Sequence, residues 1–509
     1  MKIRCALISV SDKTGLADFA KGLKKLGIEI ISSSGTHAAL ANAGIGSIKL
    51  SVYARAPELL GGRVKTLHPK IHAGILADRE NPLHMKELKK YNVKPIDLVV
   101  VNLYPFKTAV EKNLSEKELV EFIDIGGSAL LRAAAKNYPF VAVVCDPSDY
   151  AAVIAEMSAG NGCLSEETRK RLAAKAFSET AFYDSIISQY FSKQSFFPER
   201  LLLFFEKAFD CRYGENPHQR ATVYRDCLSE KESLLDFKQL NGKALSFNNL
   251  LDLDSAVSIA SEFSEPCAAI VKHGNPCGVA VAENMCNAFE KALECDERSA
   301  FGSIIALNKK CDFDTAEKIT SFFNEAVIAP SFSEAALLSL KKKENLRVLE
   351  LDFKKPGLEM DFKRITGGLL LQETDSLPYS KESREVVSKR KPSESETSDL
   401  EFAWRIAKHV KSNAIVIAKN RATIGIGAGQ MNRVNSVKIA LENAGQKSNG
   451  ASLASDAFFP FRDSIDLAAK NGVKAFIAPS GSIRDSEIIS AADENNVSLI
   501  FTNTRHFRH

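Results

Sequence analysis

The sequence has 509 residues, too many for one ordinary hydrophobic core, so we expect two or three domains. Hydrophobic residues make up 45% and charged residues 26%, a balance that excludes an intrinsically disordered chain. The net charge of +4 is small and unclustered, so we expect small-molecule ligands rather than nucleic acid or membrane. The ten cysteines form no C-x-x-C pair, and no apolar run reaches the roughly 18 residues of a membrane span. This indicates a reduced, cytoplasmic protein without a disulfide framework.

The first 150 residues alternate short β-rich runs with helical patterns. Leu16, Phe19, Leu23 and Leu26 fall on one face of a helix. The β-rich runs are Cys5–Val10, Ile28–Ser32, Asp97–Leu103 and Phe140–Val144. Such alternation predicts an α/β fold with a parallel sheet covered by helices, in which ligands bind at the carboxyl ends of the strands.

Three junctions in this part combine hydroxyl groups, cations and glycines. Each junction alone is more often an ordinary cap or turn, but three in one sheet predict a phosphate site at helix N-termini. The candidate phosphate-binding residues are Ser9, Ser11, Lys13, Thr14, Gly15, Ser33, Gly35, Thr36, Arg63 and Thr66.

Further groups in this part can transfer protons. Lys65 follows the third junction, and Tyr104 follows a β-rich run. Asp124 and Lys136 stand at opposite ends of a predicted helix, where each is also a normal terminal residue of a helix. A shared role for these two therefore needs a curved chain or the long reach of lysine. His68 and His72 are spaced like a helical metal pair, but Pro69 separates them and no glutamate accompanies them, so we expect no metal.

A second part begins after a long helical pattern at residues 165–194, which Ser195–Arg200 interrupts. We place the domain boundary there, giving domains 1–195 and 200–509. The polar composition of residues 372–399 predicts a long connection that divides the second domain into two subdomains. Strands are expected in this domain near Ala268–Lys272, Ile304–Leu307, Ala414–Ala418 and Ala475–Ala478.

A strand in the second part leads into Lys272 and His273, followed by Gly274, Asn275 and Pro276. A buried, hydrogen-bonded histidine is the usual alternative, but this turn chemistry favours a site loop in which His273 is a general base. Further candidate wall segments of a site are Arg212–Gln219, Ser299–Gly302, Lys411–Asn413, Gly425–Arg433 and Ser455–Asp463.

The stretches ISVSDKTGL, SSGT, GGRVKTLHPKIHAGIL, VVNLYPF and IDIGGSALLRAAAKN resemble the inosine monophosphate cyclohydrolase domain, which has a methylglyoxal-synthase-like fold. The resemblance implies that the substrate phosphate lies on the first motifs and that no cofactor is needed. It also implies that Lys65, Tyr104, Asp124 and Lys136 surround the ring that closes, with Lys65 stabilising an oxyanion. The segment Tyr53–Ala56 departs from the family pattern.

The motifs of the second part, with the ending FTNTRHFRH, resemble the aminoimidazole carboxamide ribonucleotide (AICAR) formyltransferase domain. The resemblance implies two cytidine-deaminase-like subdomains, a homodimer and 10-formyltetrahydrofolate as cosubstrate, with no tightly bound cofactor or metal. Lys272 and His273 match catalytic residues, and Cys211 and Ser303 depart from the pattern. Residues that would hold the substrates are Arg212, Tyr213, Asn413, Arg433 and Arg505 for the nucleotide and Phe459, Pro460 and Asp463 for the folate.

Together the two resemblances imply a bifunctional enzyme of purine biosynthesis. It formylates AICAR to FAICAR and closes FAICAR to inosine monophosphate (IMP). One alternative is a nucleotide-sensing regulator that has lost catalysis, but Lys65, Lys272 and His273 are all present. A zinc deaminase is a second alternative, but Pro276-Cys277 lacks the second cysteine of the P-C-x-x-C signature.

Overall fold

The structure is a computed structural model that describes residues 1–192, 197–227, 233–352, 360–377 and 384–509. It divides into two compact units. The first comprises Met1–Phe204 and Asp226–Leu228, and the second Phe205–Arg225 and Ser229–His509. The expected interruption after the long helix lies partly outside the described residues, and the two units change over at Phe204.

The first unit is built on a parallel sheet with strand order β3-β2-β1-β4-β5. Its strands are β1 (Cys5–Val10), β2 (Glu29–Ser32), β3 (Ile48–Lys49), β4 (Leu98–Asn102) and β5 (Ala142–Val144). Helices cover both faces, which explains why the central strands are nearly continuous apolar runs. The parallel sheet expected from the sequence is confirmed.

The described helices of the first unit are α1 (Leu16–Lys25), α2 (Ser34–Asn42), α3 (Leu50–Ala54), α4 (Pro69–Leu76), α5 (Pro82–Lys90), α6 (Phe106–Glu111), α7 (Glu116–Val120), α8 (Ile125–Lys136), α9 (Tyr150–Ala159) and α10 (Glu166–Phe191). Most of them share a core with this sheet, whereas α6 and α7 pack in a second apolar cluster and α5 in a third. In α1, Leu16, Phe19 and Leu23 are buried as the periodicity predicts. The strands thus end beside helix N-termini, where the candidate residues of the first part lie.

The second unit has one sheet of twelve strands, flanked by two separate hairpins. The hairpins are β6 (Phe205–Asp210) with β7 (Thr222–Asp226), and β14 (Met360–Ile365) with β15 (Gly368–Glu373). The large sheet contains β8 (Lys238–Asn241), β9 (Cys267–Lys272), β10 (Asn275–Val281), β11 (Ile304–Leu307), β12 (Ala326–Ala329), β13 (Arg347–Glu350), β16 (Arg384–Val386), β17 (Ile415–Lys419), β18 (Ala422–Gly427), β19 (Ser452–Ser455), β20 (Ala475–Pro479) and β21 (Ser498–Thr502).

The large sheet consists of two similar halves. Its order is β16-β21-β20-β19-β17-β18-β10-β9-β11-β12-β13-β8, so each half runs outward through matching strands from the centre. The helices described in this unit are α11 (Phe247–Ala260), α12 (Met285–Leu293), α13 (Glu297–Ala300), α14 (Phe313–Thr320), α15 (Glu334–Lys341), α16 (Glu394–Ala407), α17 (Arg433–Ala444), α18 (Asp463–Lys470) and α19 (Asp485–Glu494). We call the half that contains β8–β13 the first subdomain and the half that contains β16–β21 the second subdomain.

A turn held by an aspartate appears once in each subdomain. The Asp252 carboxylate accepts hydrogen bonds from the backbone N–H groups of His273 (3.1 Å) and Gly274 (2.6 Å). Asp399 likewise accepts from the two residues of the β17–β18 turn, Asn420 (3.0 Å) and Arg421 (2.7 Å). All four turn residues have positive φ, between 53° and 71°, so each turn is held in a left-handed conformation.

Residues 378–383 of the polar stretch 372–399 lie outside the described residues, and the described remainder is more structured than expected. Arg384–Val386 forms the edge strand β16, which pairs antiparallel with β21. Helix α16 starts at Glu394, where Ser393 and Glu396 form a capping box. Polar residues are common in exposed edge strands, in the first turn of helices and in loops, so composition alone does not distinguish these elements from a connection.

Asp124 caps helix α8 at a partly buried position. Its Oδ1 accepts a hydrogen bond of 2.6 Å from the backbone N–H of Gly127. Burial raises the pKa of the Asp124 carboxyl, while the Gly127 N–H group and the Lys65 ammonium oppose that rise. The fold therefore binds a proton at Asp124 more tightly than the unfolded chain does.

We expect Asp124→Asn to make the chain less sensitive to rising pH. Asparagine keeps the capping oxygen but cannot ionise, whereas Asp124 becomes a buried charge above its raised pKa. The free energy of unfolding of the parent should therefore fall relative to the variant as pH rises from about 3.5 to 7. Urea unfolding of both proteins across this range measures the difference. A constant difference would contradict the expectation.

Candidate active sites

The loop between β1 and α1 is fixed by one side chain from the neighbouring strand. Asn102, the last residue of β4, accepts hydrogen bonds through Oδ1 from the backbone N–H groups of Ser11 (2.5 Å) and Asp12 (2.9 Å). Its Nδ2 donates back to the Asp12 carbonyl at 3.0 Å. Gly15 closes the loop with φ of 67°. Sequence reasoning missed Asn102, although its place at a strand end was a signal.

The loops after β1 and β2 are joined to each other. The Ser9 hydroxyl donates to the Ser33 hydroxyl at 2.9 Å, and the Val10 N–H donates to Thr36 Oγ1 at 3.1 Å. A Cβ added to Gly35 would meet nothing within 4 Å, so open space lies beside the first turn of α2. The first two junctions therefore form one continuous wall at the carboxyl edge of the sheet.

Two lysines add positive charge beside this wall. Partial burial and the charge of Lys65 lower the pKa of Lys13. The Lys13 ammonium donates to the backbone carbonyls of Val10 and Ser11. Two ammonium groups close enough to interact favour binding of an anion between them, because an anion relieves their repulsion. This charge and the joined loops fit a phosphate group.

Three other residues predicted to bind phosphate are engaged with protein groups or buried. Thr14 donates through its hydroxyl to Asp12 at 2.7 Å, and Thr66 is buried under Gly126. Arg63 is exposed and forms an ion pair with Glu121. A ligand that binds the Arg63 guanidinium would therefore compete with Glu121 for it.

Three of the four predicted ring-closing residues lie together. Lys65 Nζ donates to the Tyr104 hydroxyl at 3.1 Å and lies 5.7 Å from the centre of its ring. Asp124 is close enough to interact electrostatically with Lys65, because the Lys65 ammonium lowers the pKa of the Asp124 carboxyl and so opposes the effect of burial. The site thus combines a cation, a phenol and a carboxyl whose raised pKa favours its protonated form.

Lys136 lies elsewhere. It is the last residue of α8, and Asp124 precedes the first, so about 18 Å of helix separates them. The next residue, Asn137, donates to the carbonyls of Ile75 (2.6 Å) and Ala77 (3.0 Å) at the end of α4. The structure does not bring Lys136 to the other three, so its catalytic role stays a prediction from resemblance.

In the second unit, Lys272 and His273 line a cavity of about 350 Å³. Both subdomains contribute to it, the first through His273 and the second through Ile426 and Asn443. The His273 side chain is exposed, which excludes the alternative of a buried core histidine. Asp252, which fixes the His273 backbone, lies among leucines within a helix and gave no signal in the sequence.

Two cysteines also line this cavity. Burial raises the pKa of both Cys277 and Cys295 to about 12. Their thiols therefore stay protonated at neutral pH and are poor nucleophiles. The imidazole of His273 is the better candidate for chemistry here.

Lys272 also has a structural contact. Its Nζ donates to the Phe301 carbonyl at 2.8 Å. At the matching place in the second subdomain, Lys419 Nζ donates to the Asn449 carbonyl at 2.7 Å. The second subdomain has Asn420 where the first has His273, so the bond between the lysine ammonium and a backbone carbonyl does not depend on a neighbouring histidine.

Asn413 is positioned by a buried network. Arg433 donates to Asn413 Oδ1 at 2.7 Å and to Asp456 Oδ1 at 2.5 Å. Asp456 also accepts from the Ser412 hydroxyl at 2.5 Å. Arg433 is 5% exposed at its side chain and Asp456 is fully buried. This burial favours Arg433 as a residue that orients Asn413 rather than one that contacts a ligand.

The other residues predicted to bind the substrates do not lie together around the cavity that His273 lines. Arg212 stacks on Tyr213 at 5.4 Å, and Arg505 stacks on Phe507 at 4.8 Å. None of these four is among the described residues that line the cavity. Phe459 is 2% exposed in the core of the second subdomain, so its ring is not available to a folate.

The neighbours of Phe459 remain accessible. Phe461, which lies in the predicted wall segment Ser455–Asp463, is 51% exposed and packs against Arg484. Pro460 is half-buried, and Asp463 is exposed at the first position of α18. The segment thus presents Phe461 rather than Phe459 to a ligand.

Comparison with known proteins gives matches to both units. A family described as "MGS-like domain" matches residues 15–129, and one described as "AICARFT/IMPCHase bienzyme" matches residues 134–443. Among the described helices, none has the length and apolar character needed to cross a membrane. A solved structure described as "Crystal structure of ForH" covers 37% of this chain and 99% of its own at 36% identity, with a TM-score of 0.33, and adds nothing to the assignment.

Curated relatives match the whole chain. A protein of Persephonella marina is 49% identical over 99% of this chain and 100% of its own length. Proteins of Thermoanaerobacter sp. strain X514 and Bacillus cereus strain B4264 are each 50% identical over 99% of both chains. All three are named "Bifunctional purine biosynthesis protein PurH". The chain therefore belongs to the AICARFT/IMPCHase bienzyme family, whose members join an AICAR formyltransferase and an IMP cyclohydrolase.

Proposed function

We propose that the two reactions of this bifunctional enzyme are divided between its two units, with the boundary in the interval 195–200. The second unit transfers a formyl group from 10-formyltetrahydrofolate to the 5-amino group of AICAR. The first unit closes the resulting FAICAR to IMP. The main support is that Lys65, Tyr104 and Asp124 belong to one unit and Lys272 and His273 to the other.

Ring closure needs an anion site and a place for developing negative charge. The joined loops after β1 and β2 would hold the nucleotide phosphate, with Lys13 near it. The carboxamide nitrogen attacks the formyl carbon, and the formyl oxygen becomes an oxyanion before water leaves. Lys65 would stabilise that oxyanion, because a well-placed donor contributes roughly 3–4 kcal/mol to such a step. Tyr104 would share this contact, since it already accepts a hydrogen bond from Lys65.

Asp124 would exchange the protons that ring closure requires. Its pKa is raised by burial, so it holds a proton more readily than an ordinary carboxyl. A protonated carboxyl can donate its proton to the formyl oxygen, and the resulting carboxylate can accept the proton of the attacking amide; the formamido N–H supplies the second proton of the water that leaves. No added cofactor is needed for this exchange.

Formyl transfer needs a base for a weakly nucleophilic amine. The 5-amino group attacks the formyl carbon of the folate, and His273 takes the amine proton as the new C–N bond forms. Lys272 would face the formyl oxygen while Phe301 holds its ammonium. The tetrahedral intermediate then collapses, the C–N bond to N10 breaks, and a proton returns to the tetrahydrofolate nitrogen.

The nucleotide and folate contacts follow from the same proposal. Asn413, oriented by Arg433, would bind the nucleotide together with Arg212, Tyr213 and Arg505. The segment Phe459–Asp463 would bind the folate through its exposed members. We also propose that the enzyme is a cytoplasmic homodimer, as its family resemblance implies.

We expect Lys65→Ala to lower ring closure by roughly 10²–10³-fold, because it removes the donor aimed at the oxyanion. Formyl transfer should continue, so FAICAR accumulates in chromatograms of the complete reaction. Lys136→Ala is the matched control, and its loss of ring closure should be much smaller. Equal losses in the two variants would show that Lys136 shares the site, against the geometry.

We expect His273→Ala to lower the turnover of formyl transfer by roughly 10²–10⁴-fold, the range of general-base catalysis. Ring closure and nucleotide affinity should change little. The matched control is Asn420→Ala, which removes a side chain from the equivalent left-handed turn position. Both substitutions strain the backbone alike, so a similar melting temperature with normal transfer in Asn420→Ala isolates the imidazole. Unchanged transfer in folded His273→Ala would overturn the catalytic assignment.

We expect the separate pieces 1–195 and 200–509 to retain one activity each. The first piece should close synthetic FAICAR without folate, and the second should make FAICAR from AICAR and 10-formyltetrahydrofolate. Absorbance assays of each purified piece test this division. Two soluble pieces that are both inactive alone but active when mixed would contradict it.

A further inference from the structure

A cavity of the first unit lies apart from the residues predicted to close the ring. Its volume is about 520 Å³, and it lies between α4 and α5. Its lining does not include Lys65, Tyr104 or Asp124. A volume of this size lies within the range of about 300–1,000 Å³ that is typical of small-molecule sites.

The two helices that enclose this cavity are anchored independently of any ligand. Ile71 and Ile75 of α4 are fully buried in the core of the unit. Asn137 donates to the carbonyls of Ile75 and Ala77, which fixes the end of α4. Leu88 of α5 is buried at 5% exposure. The cavity is therefore preformed, which reduces the entropy lost on binding.

The walls of the cavity are largely apolar. Ala73 and Leu76 line it from α4, and Leu88 and Val93 line it from α5 and the residues that follow. Leu76 is 40% exposed, so part of its side chain is accessible from the cavity. These surfaces would gain by contact with a flat hydrocarbon or aromatic ring.

Two histidines give the cavity a defined hydrogen-bonding character. His68 Nδ1 accepts from the backbone N–H of Lys70 at 3.1 Å, and His84 Nδ1 accepts from that of Asp78 at 3.2 Å. A backbone N–H is always a donor, so in each neutral ring the proton must be on Nε2. Both histidines can therefore offer a ligand an Nε2–H donor.

The charges around the cavity favour an anion. Lys70 lines it with a permanent ammonium group, and Glu87 is the one acidic residue among the described residues of its lining. The His68 and His84 Nε2–H donors need acceptor atoms, because both Nδ1 atoms are already occupied by backbone N–H groups. Carboxylate or sulfonate oxygens satisfy these groups better than a neutral or basic ligand does.

We propose that this cavity is a second ligand site of the first unit, which binds an aromatic or heteroaromatic monoanion. The ring would lie against Ala73, Leu76 and Leu88, and the anionic oxygens would accept hydrogen bonds from His68 and His84 beside Lys70. This site is separate from the phosphate loops, so it does not require that the unit close FAICAR.

The fluorescent probe 1-anilinonaphthalene-8-sulfonate has this chemistry, an aromatic body with one sulfonate. We expect the full chain to bind it at one saturable site in the presence of excess IMP, which occupies nucleotide sites. Ala73→Phe fills the cavity and should weaken binding at least about tenfold. Ala151→Phe, which adds the same ring at an exposed position of α9, should bind the probe like the parent.

A second variant separates anion recognition from simple filling of the cavity. His84→Leu keeps bulk and removes one donor from an exposed residue, so it should fold normally. Loss of a hydrogen bond to a charged group should weaken probe binding roughly tenfold. Unchanged binding in folded Ala73→Phe would overturn the site. Unchanged binding in His84→Leu would overturn its selectivity for an anion, whether or not Ala73→Phe folds.

Discussion

The second unit depends on a narrow seam where its two subdomains become one sheet. Strand β10 meets β18 at Ala280 and Ala422, and the buried Thr423 reinforces the join. The Thr423 hydroxyl accepts from the Val279 N–H at 2.9 Å and donates to the Val279 carbonyl at 3.2 Å. A side-chain hydroxyl thus supplies bonds that a longer backbone ladder would otherwise provide. The cavity with His273 lies beside this seam and takes walls from both subdomains.

Close packing of helices on the two central strands makes the seam possible. A Cβ on Gly278 of β10 would lie 1.9 Å from the Ala292 carbonyl of α12. A Cβ on Gly425 of β18 would lie 2.0 Å from the Ala440 carbonyl of α17. No side chain fits at either place, so glycine is required by contact rather than by flexibility. The helices can then approach the strands that carry the site loops.

The polar network around Asn413 illustrates a different kind of constraint. Breaking the buried pair of Arg433 and Asp456 would leave a charge without a partner, which typically costs about 3–5 kcal/mol. The pair is fully engaged with protein groups, so its value lies in fixing Asn413 and Ser412. A direct role in binding and a role in positioning look the same in sequence, because both need an arginine at this place.

Sequence reasoning succeeded where chemistry and chain order coincide. The strand β11 was placed to the residue, and Lys65, Tyr104 and Asp124 were found at the ends of their elements, where the structure brings them together. The sequence does not show how far apart two residues lie or how deeply a side chain is buried. Lys136 is separated by the length of α8, and Phe459 is inside the core although its neighbours are exposed. The internal repeat was expected only from the family resemblance, because the two halves share backbone geometry more than residues.

The paired turns show that one backbone arrangement can present different side chains. Asp252 and Asp399 hold equivalent turns, and the lysine before each turn bonds an equivalent carbonyl. Each turn is thus fixed by groups outside it, so the side chain at its first position is not needed to hold the shape of the turn. That position is His273 in one half, beside the cavity, and Asn420 in the other. The side chain can therefore be exchanged at this place while the backbone that presents it stays the same.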